Sequence, residues 1–298
     1  MRVPAATPPD RISPNAFGRD RILFGLAAFL IALLAIWVGF PLLAPIYLLL
    51  SCVGLYEYSR LLKLRGISIQ LRSLWLVTAL TVPASLPAQI LGGHSPIEGL
   101  SWRILLLILF VIYVIILKLI NPKKYSLSNV VATVLGYVYI PWLFSFVITL
   151  RYYPDNILGL WSLAIPILAV IGADTGGLFF GALFGRRKLI PRISPKKTIE
   201  GALGGLVLAT IGVVCILALL HKVSGPDIGW GDGIALGLLA ATGAQIGDLI
   251  ESLFKRWVGV KDAGVLLPGH GGVLDRIDSV IVAMPTAYLF LALFIVVK

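Results

Sequence analysis

Residues 22–56 read ILFGLAAFLIALLAIWVGFPLLAPIYLLLSCVGLY, a run of 35 positions without one charged side chain. A helix rises about 1.5 Å per residue and the hydrocarbon core of a bilayer is about 30 Å thick, so the run is too long for one crossing. Gly39, Phe40 and Pro41 offer the place to turn. Arg19 and Arg21 precede the run, and Arg60, Lys63 and Arg65 follow it. Basic residues collect on the cytoplasmic side of a membrane, so the pattern predicts a tight helical hairpin with both ends on that side. A cleaved signal peptide fits less well, because the run is too long and has no well-placed A-x-A site.

Outward from the hairpin, apolar runs near spanning length recur at 73–92, 104–120, 127–150, 161–185, 200–221, 233–256 and 275–297. The fold expected is an all-α integral membrane protein, a polytopic bundle of about nine transmembrane helices with the N-terminus in the cytoplasm. Residues 1–21 read as a polar, basic tail, 22–150 as the N-terminal helices and 151–298 as a C-terminal catalytic region. With that topology 21 of the 25 Lys and Arg residues fall in inner segments, and only Arg103, Arg151, Lys222 and Lys298 lie outside. The net charge of +11 is thereby explained by orientation, and nucleic-acid binding loses its motivation.

A mean hydropathy of +0.96 leaves no room for a sizeable soluble domain. The two cysteines, Cys52 and Cys215, lie in apolar runs and fit no metal or redox spacing. There is no P-loop and no dinucleotide fingerprint. Whatever the chain does is done by the bundle and its inner loops.

Charge inside the spans is the informative exception. Asp174, Asp248 and Glu251 fall at apparent bilayer depth, where ionised groups are costly and face a polar cavity or a partner. Asp248, Glu251 and Lys255 share one helix face at i, i+3 and i+7, placing Asp248 about 10 Å deeper than Lys255. Asp275 and Asp278 lie one turn apart at the start of the last span. Two helices joined by a short loop thus aim carboxylates at a common point, an oxygen-rich setting that suits Mg²⁺ shared with phosphates. The connecting loop holds Pro268, Gly269, His270, Gly271 and Gly272, and its glycines let the backbone approach a ligand closely. His270 is a candidate acid, phosphate donor or loop-fixing group.

A second inner loop, Arg186 to Lys197, carries six basic residues. Topology signal and contact with anionic lipid account for such a loop. Ser194 and Pro195 read as a helix N-cap and first position, which would put Lys196 and Lys197 in the first turn, against the macrodipole. A phosphate bound at that helix start would reverse the penalty.

Residues 252–278 read SLFKRWVGVKDAGVLLPGHGGVLDRID. Ser252, Lys255-Arg256, Lys261-Asp262, Gly264, Leu267-Pro268, His270-Gly271-Gly272 and Asp275-Arg276-x-Asp278 resemble the signature of the CDP-diacylglycerol synthases, or phosphatidate cytidylyltransferases. GADTGG (172–177) and SPKKTIEG (194–201) look like further segments of that family, so the resemblance covers roughly residues 160–298. Ala263 departs from the pattern where serine is common, which leaves a hydroxyl contact without a counterpart.

The resemblance implies a membrane enzyme that joins CTP and phosphatidic acid into CDP-diacylglycerol and pyrophosphate. It also implies Mg²⁺ held by Asp248 and Asp275, a second cation such as K⁺ nearby, and a homodimer, in the inner membrane if the source is bacterial. On that reading Lys255, Arg256, Lys261 and Arg276 neutralise phosphates. Asp174, Asp262 and Asp278 complete the cluster. Ser194, Lys196, Lys197, Thr198, Ser252, Gly271 and Gly272 contact the lipid phosphate or the triphosphate. The rival reading is a transporter of an anionic phosphorylated metabolite, whose site would favour the bilayer midplane and an internal repeat. The charges instead cluster at one face and no repeat is visible.

Overall fold

The computed structural model of the chain describes residues 19–87, 101–155, 157–221, 228–264 and 271–295. Its helices are α1 (Arg19–Val38), α2 (Phe40–Lys63), α3 (Leu71–Ala84), α4 (Trp102–Ile120), α5 (Leu127–Tyr137), α6 (Phe146–Arg151), α7 (Leu158–Phe184), α8 (Ile199–His221), α9 (Trp230–Val258) and α10 (Leu274–Phe290). A π turn at Val138–Trp142 joins α5 toward α6, and a second, Leu291–Ile295, extends α10. Most of the tail expected over 1–21 lies outside the described residues, and α1 begins within it at Arg19.

The hairpin turns where expected. Gly39 has φ +79°, a left-handed conformation that side chains disfavour. The backbone of Phe40 donates to the Tyr152 hydroxyl at 2.7 Å. Arg151 donates from Nε to the Ile36 carbonyl at 2.6 Å and from Nη2 to the Trp37 carbonyl at 3.3 Å. A guanidinium at the C-terminal end of α1 satisfies orphan carbonyls and opposes the helix dipole. Arg103, a second basic residue of the presumed outer side, is buried, donates to Thr149 Oγ1 at 3.0 Å and stands 3.7 Å from the Phe146 ring centroid. Two of the four exceptions to the charge bias, Arg103 and Arg151, therefore have local structural roles, while Lys222 and Lys298 lie outside the described residues.

Among the described residues seven helical segments are long and apolar enough to cross a bilayer, including α5, its π turn and α6 taken together as Leu127–Arg151. The break in that segment sits at Pro141, which has no N–H to give, while its carbonyl accepts from Tyr47 Oη at 2.8 Å. Phe29–Val38 and α3 are shorter apolar helices. Within the crossing expected over 73–92, α3 covers Leu71–Ala84 and ends one residue after Pro83. Residues 88–100 lie outside the described set. Large apolar side chains such as Leu49, Leu76 and Leu119 point outward, as lipid-facing positions do.

The C-terminal helices α7 to α10 form the closest-packed part of the bundle. Small residues permit it. A Cβ on Gly176 of α7 would lie 2.8 Å from the Gly204 carbonyl of α8, and one on Gly205 would lie 2.6 Å from the Ala173 carbonyl. At Gly247 a Cβ would collide with the Asp278 carbonyl, so α9 and the start of α10 touch backbone to backbone. The N-terminal half joins through α2, where Leu55 is buried and Gly54 faces Leu274 and Ile277 of α10.

One element departs from the expected all-helical plan. Strands β1 (Lys188–Ile190) and β2 (Ser194–Thr198) form a two-stranded antiparallel hairpin, with Lys188 opposite Thr198 and Ile190 opposite Ser194. Ser194 is therefore not a helix N-cap, and Lys196 and Lys197 lie on a strand rather than in a first turn. The cap is Thr198, whose Oγ1 accepts the Gly201 N–H at 3.1 Å at the start of α8. Glu200, in that first turn, accepts the backbone N–H groups of Arg186 and Arg187 at 3.1 and 3.2 Å, tying the loop back to the helix.

Candidate active site

Helix α9 carries Asp248, Glu251, Ser252 and Lys255 along one face, as their spacing requires. Helix α10 begins at Leu274 and presents Asp275, Arg276 and Asp278 in its first turns. Asp174 comes from α7, and Lys196, Lys197 and Thr198 come from β2. These four elements surround one cavity of about 450 Å³. Its walls hold four carboxylates, Asp174, Asp248, Asp275 and Asp278, and four cations, Lys196, Lys197, Lys255 and Arg276.

Charge pairing organises the walls. Lys197 Nζ lies 2.6 Å from Asp248 Oδ2, a contact that fastens the hairpin to α9. Ser252 Oγ donates to the other Asp248 oxygen at 3.3 Å. Lys255 stands between two carboxylates, bonding Asp275 Oδ1 at 2.5 Å and pairing with Glu251 one turn back. Glu251 is 1% exposed, so the ammonium between it and Asp275 is its counter-charge in a site that water barely reaches.

Asp275 also shapes the loop before it. Its Oδ2 accepts the Ala263 N–H at 3.0 Å and the Gly272 N–H at 2.8 Å, drawing together the two ends of the stretch between α9 and α10. That stretch leaves α9 through Gly259, at φ +93°, whose N–H bonds the Lys255 carbonyl at 2.9 Å. Gly271 has φ +78°.

A carboxylate offers about four lone-pair positions. Asp275 uses three of them and Asp248 two, so both retain oxygen capacity toward the cavity. The hard-oxygen donor set, with Asp174 and Asp278 on the same walls, fits Mg²⁺ in chemistry. Among the described residues no group of three His, Cys, Asp or Glu is already gathered at metal-binding distances.

Of the residues singled out in the sequence, Asp174, Lys196, Lys197, Thr198, Asp248, Lys255, Asp275, Arg276 and Asp278 line the cavity, and Ser252 supports Asp248. Gly272 acts through its backbone N–H, and Gly271 stacks close against the Asp275 carboxylate. Others are not brought to the cavity. Ser194 sits at the far end of β2, Arg256 donates to the Ile193 and Val260 carbonyls, and Lys261 and Asp262 are exposed. His270 lies outside the described residues, as do Leu267, Pro268 and Gly269.

Sequence reading missed Glu57. This α2 carboxylate is 1% exposed and accepts the backbone N–H groups of Val273 and Leu274 at 3.0 and 2.8 Å, more than 200 residues away. The available signal was an acid directly after the uncharged run 22–56, ahead of the basic Arg60 and Lys63. Arg65, just beyond α2, adds a second tie by donating to the Trp257 carbonyl and stacking on its ring.

Comparison with known proteins adds three observations. The model of the cytidylyltransferase family matches residues 19–294. The phosphatidate cytidylyltransferase of Bacillus subtilis (strain 168) is 34% identical over 278 residues, spanning 93% of this chain and 98% of its own length. Proteins of the same name from Mycobacterium tuberculosis (strain ATCC 25618 / H37Rv) and Staphylococcus aureus (strain COL) are 42% and 44% identical over 174 and 136 residues. Those matches cover 58% and 45% of this chain and half of each relative.

Proposed function

The chain belongs to the cytidylyltransferase family, and from that premise we propose that it is a phosphatidate cytidylyltransferase, converting CTP and phosphatidic acid into CDP-diacylglycerol and pyrophosphate. The observation that carries this reading is the cavity itself, where carboxylates and ammonium groups from four elements face one another across about 450 Å³. Two phosphate-bearing substrates repel each other, and a wall of fixed cations is what lets them approach.

In the proposed reaction a phosphate oxygen of phosphatidic acid attacks the α-phosphorus of CTP. The bond from that phosphorus to the bridging oxygen of the β-phosphate breaks, and pyrophosphate leaves with the electron pair. The attacking oxygen is already anionic at neutral pH, so no side chain has to remove a proton. Lys196, Lys197, Lys255 and Arg276 offset the phosphate charge, and Thr198 is placed to donate a hydrogen bond from the cavity wall. Because Lys197 and Lys255 are held by Asp248 and Asp275, they enter the reaction oriented rather than as mobile chains.

Asp248 and Asp275, with Asp174 and Asp278 beside them, would hold Mg²⁺, which supplies charge neutralisation on phosphate oxygens when bound. A second cation such as K⁺ belongs to the same carboxylate set. We place the N-terminus and the basic hairpin in the cytoplasm, the chain in the inner membrane if its source is bacterial, and the working form as a homodimer. The charge bias of the loops supports the orientation.

The test is the fate of label. Purified protein in detergent with phosphatidic acid and Mg²⁺ is expected to move ³²P from the α-position of CTP into chloroform-soluble lipid, and from the γ-position into pyrophosphate. Label from the γ-position in lipid would contradict direct cytidylyl transfer.

A further inference from the structure

We infer that Glu57, on α2 of the N-terminal half, is a positioning residue for the reaction: its carboxylate holds the start of α10, and so sets where Asp275 and Asp278 stand. The inference rests on the cytidylyltransferase reading of the cavity.

The geometry is specific. The first N–H groups of a helix have no partner within it and point outward. Val273 and Leu274 are the N-cap and first residue of α10, and each gives its N–H to a different oxygen of Glu57. The same carboxylate is where two parts of the signature loop converge. A Cβ on Gly272 would stand 2.7 Å from Glu57 Oε2, and a Cβ on Gly264 would overlap the carboxylate. Both positions are glycine because the loop closes directly on this side chain.

Asp275 works next to it. While Glu57 takes the N–H groups of residues 273 and 274, Asp275 takes those of Ala263 and Gly272. Two carboxylates thus stitch four backbone donors, one reaching from the distant α2 and one from the cavity wall. Glu57 itself does not line the cavity. It acts through the backbone, and its negative charge sits at the positive end of the α10 dipole. A shift of the α10 start moves Asp275 and Asp278 together, because they are one turn apart on it.

The test compares full-length wild type with Glu57→Gln and Glu57→Asp. Gln is isosteric but offers one oxygen, and turns its amide N–H toward a backbone N–H. Asp keeps both oxygens on a shorter stem. Outer-shell groups that orient ligands typically cost 10–100-fold when altered. The expected result is a kcat loss of about that size in E57Q per folded enzyme, a smaller loss in E57D, and a KM for CTP changed less than about threefold.

Amide hydrogen exchange gives a readout independent of turnover. Residues 271–276 should exchange about tenfold faster in E57Q, with α4, α7 and α8 unchanged. Wild-type kcat in E57Q, or faster exchange spread evenly over the whole bundle, overturns the inference. If E57Q does not fold, E57D decides by the same two readouts. A wild-type protein that transfers no label overturns the cytidylyltransferase reading instead, and the exchange comparison then decides alone whether Glu57 holds the loop.

Discussion

Lys197 on β2 and Asp248 on α9 meet at 2.6 Å, and this contact closes the basic hairpin over the cavity. Both side chains are about a third exposed, so the pair contributes little to stability, on the order of 0–1 kcal/mol. Its value lies in placement. Lys197→Met should leave the melting temperature in detergent within about 2 °C of wild type while lowering kcat/KM by about 100-fold, since a fixed phosphate-neutralising cation is gone. Steady-state kinetics and thermal unfolding on one preparation check both halves.

Lys255 behaves differently because it bridges two carboxylates in a buried setting. Lys255→Met leaves Glu251 and Asp275 facing each other without a counter-charge. Removing one partner of such a buried set costs about 3–5 kcal/mol. The double variant Lys255→Met with Glu251→Gln should regain part of that loss, without regaining activity. Thermal unfolding of the single and double variants measures the coupling.

Thr198 caps α8 and also faces the cavity. Thr198→Val keeps the shape and removes the acceptor for the Gly201 N–H, and a lost cap of this kind costs about 1 kcal/mol. Thr198→Ser should restore the stability. Unfolding of the three proteins side by side checks the assignment of the cap to Thr198.

Helix contact at Gly247 is a further point of sensitivity. A methyl group there collides with the Asp278 carbonyl and pushes α10 from α9. Gly247→Ala should reduce activity by tenfold or more, as ~1 Å shifts of positioned groups do. Gly231→Ala, at the other end of α9 with nothing within 4 Å of the added carbon, should be neutral or slightly stabilising. Equal effects at the two positions would contradict the packing argument.

The spans were legible because hydropathy and length are properties of the local chain, and bilayer thickness acts on each segment separately. Asp248 and Lys255 could be placed on one face for a similar reason, since helical periodicity needs no tertiary knowledge. Ser194 to Thr198 could not be read that way. A Ser-Pro pair suits a helix start, and the strand forms instead because β1 pairs with it, Lys197 binds it to α9, and Arg256 of α9 holds the Ile193 carbonyl just before it. Those contacts are set by distant residues. The end of α3 at Ala84 was hidden too, since apolar composition runs on past Pro83. Glu57 is the clearest case: its partners lie 216 and 217 residues along the chain, and only the folded bundle brings them together.

The measurement that bears most directly on the account is the rate of CDP-diacylglycerol formation by purified wild type and by Asp248→Asn, with phosphatidic acid, CTP and Mg²⁺. Asp248 joins the hairpin, α9 and the proposed cation site, so the account expects Mg²⁺-dependent synthesis by wild type and a loss of about 100-fold or more in the folded variant. Synthesis by Asp248→Asn at the wild-type rate would contradict it and place the chemistry outside this cavity.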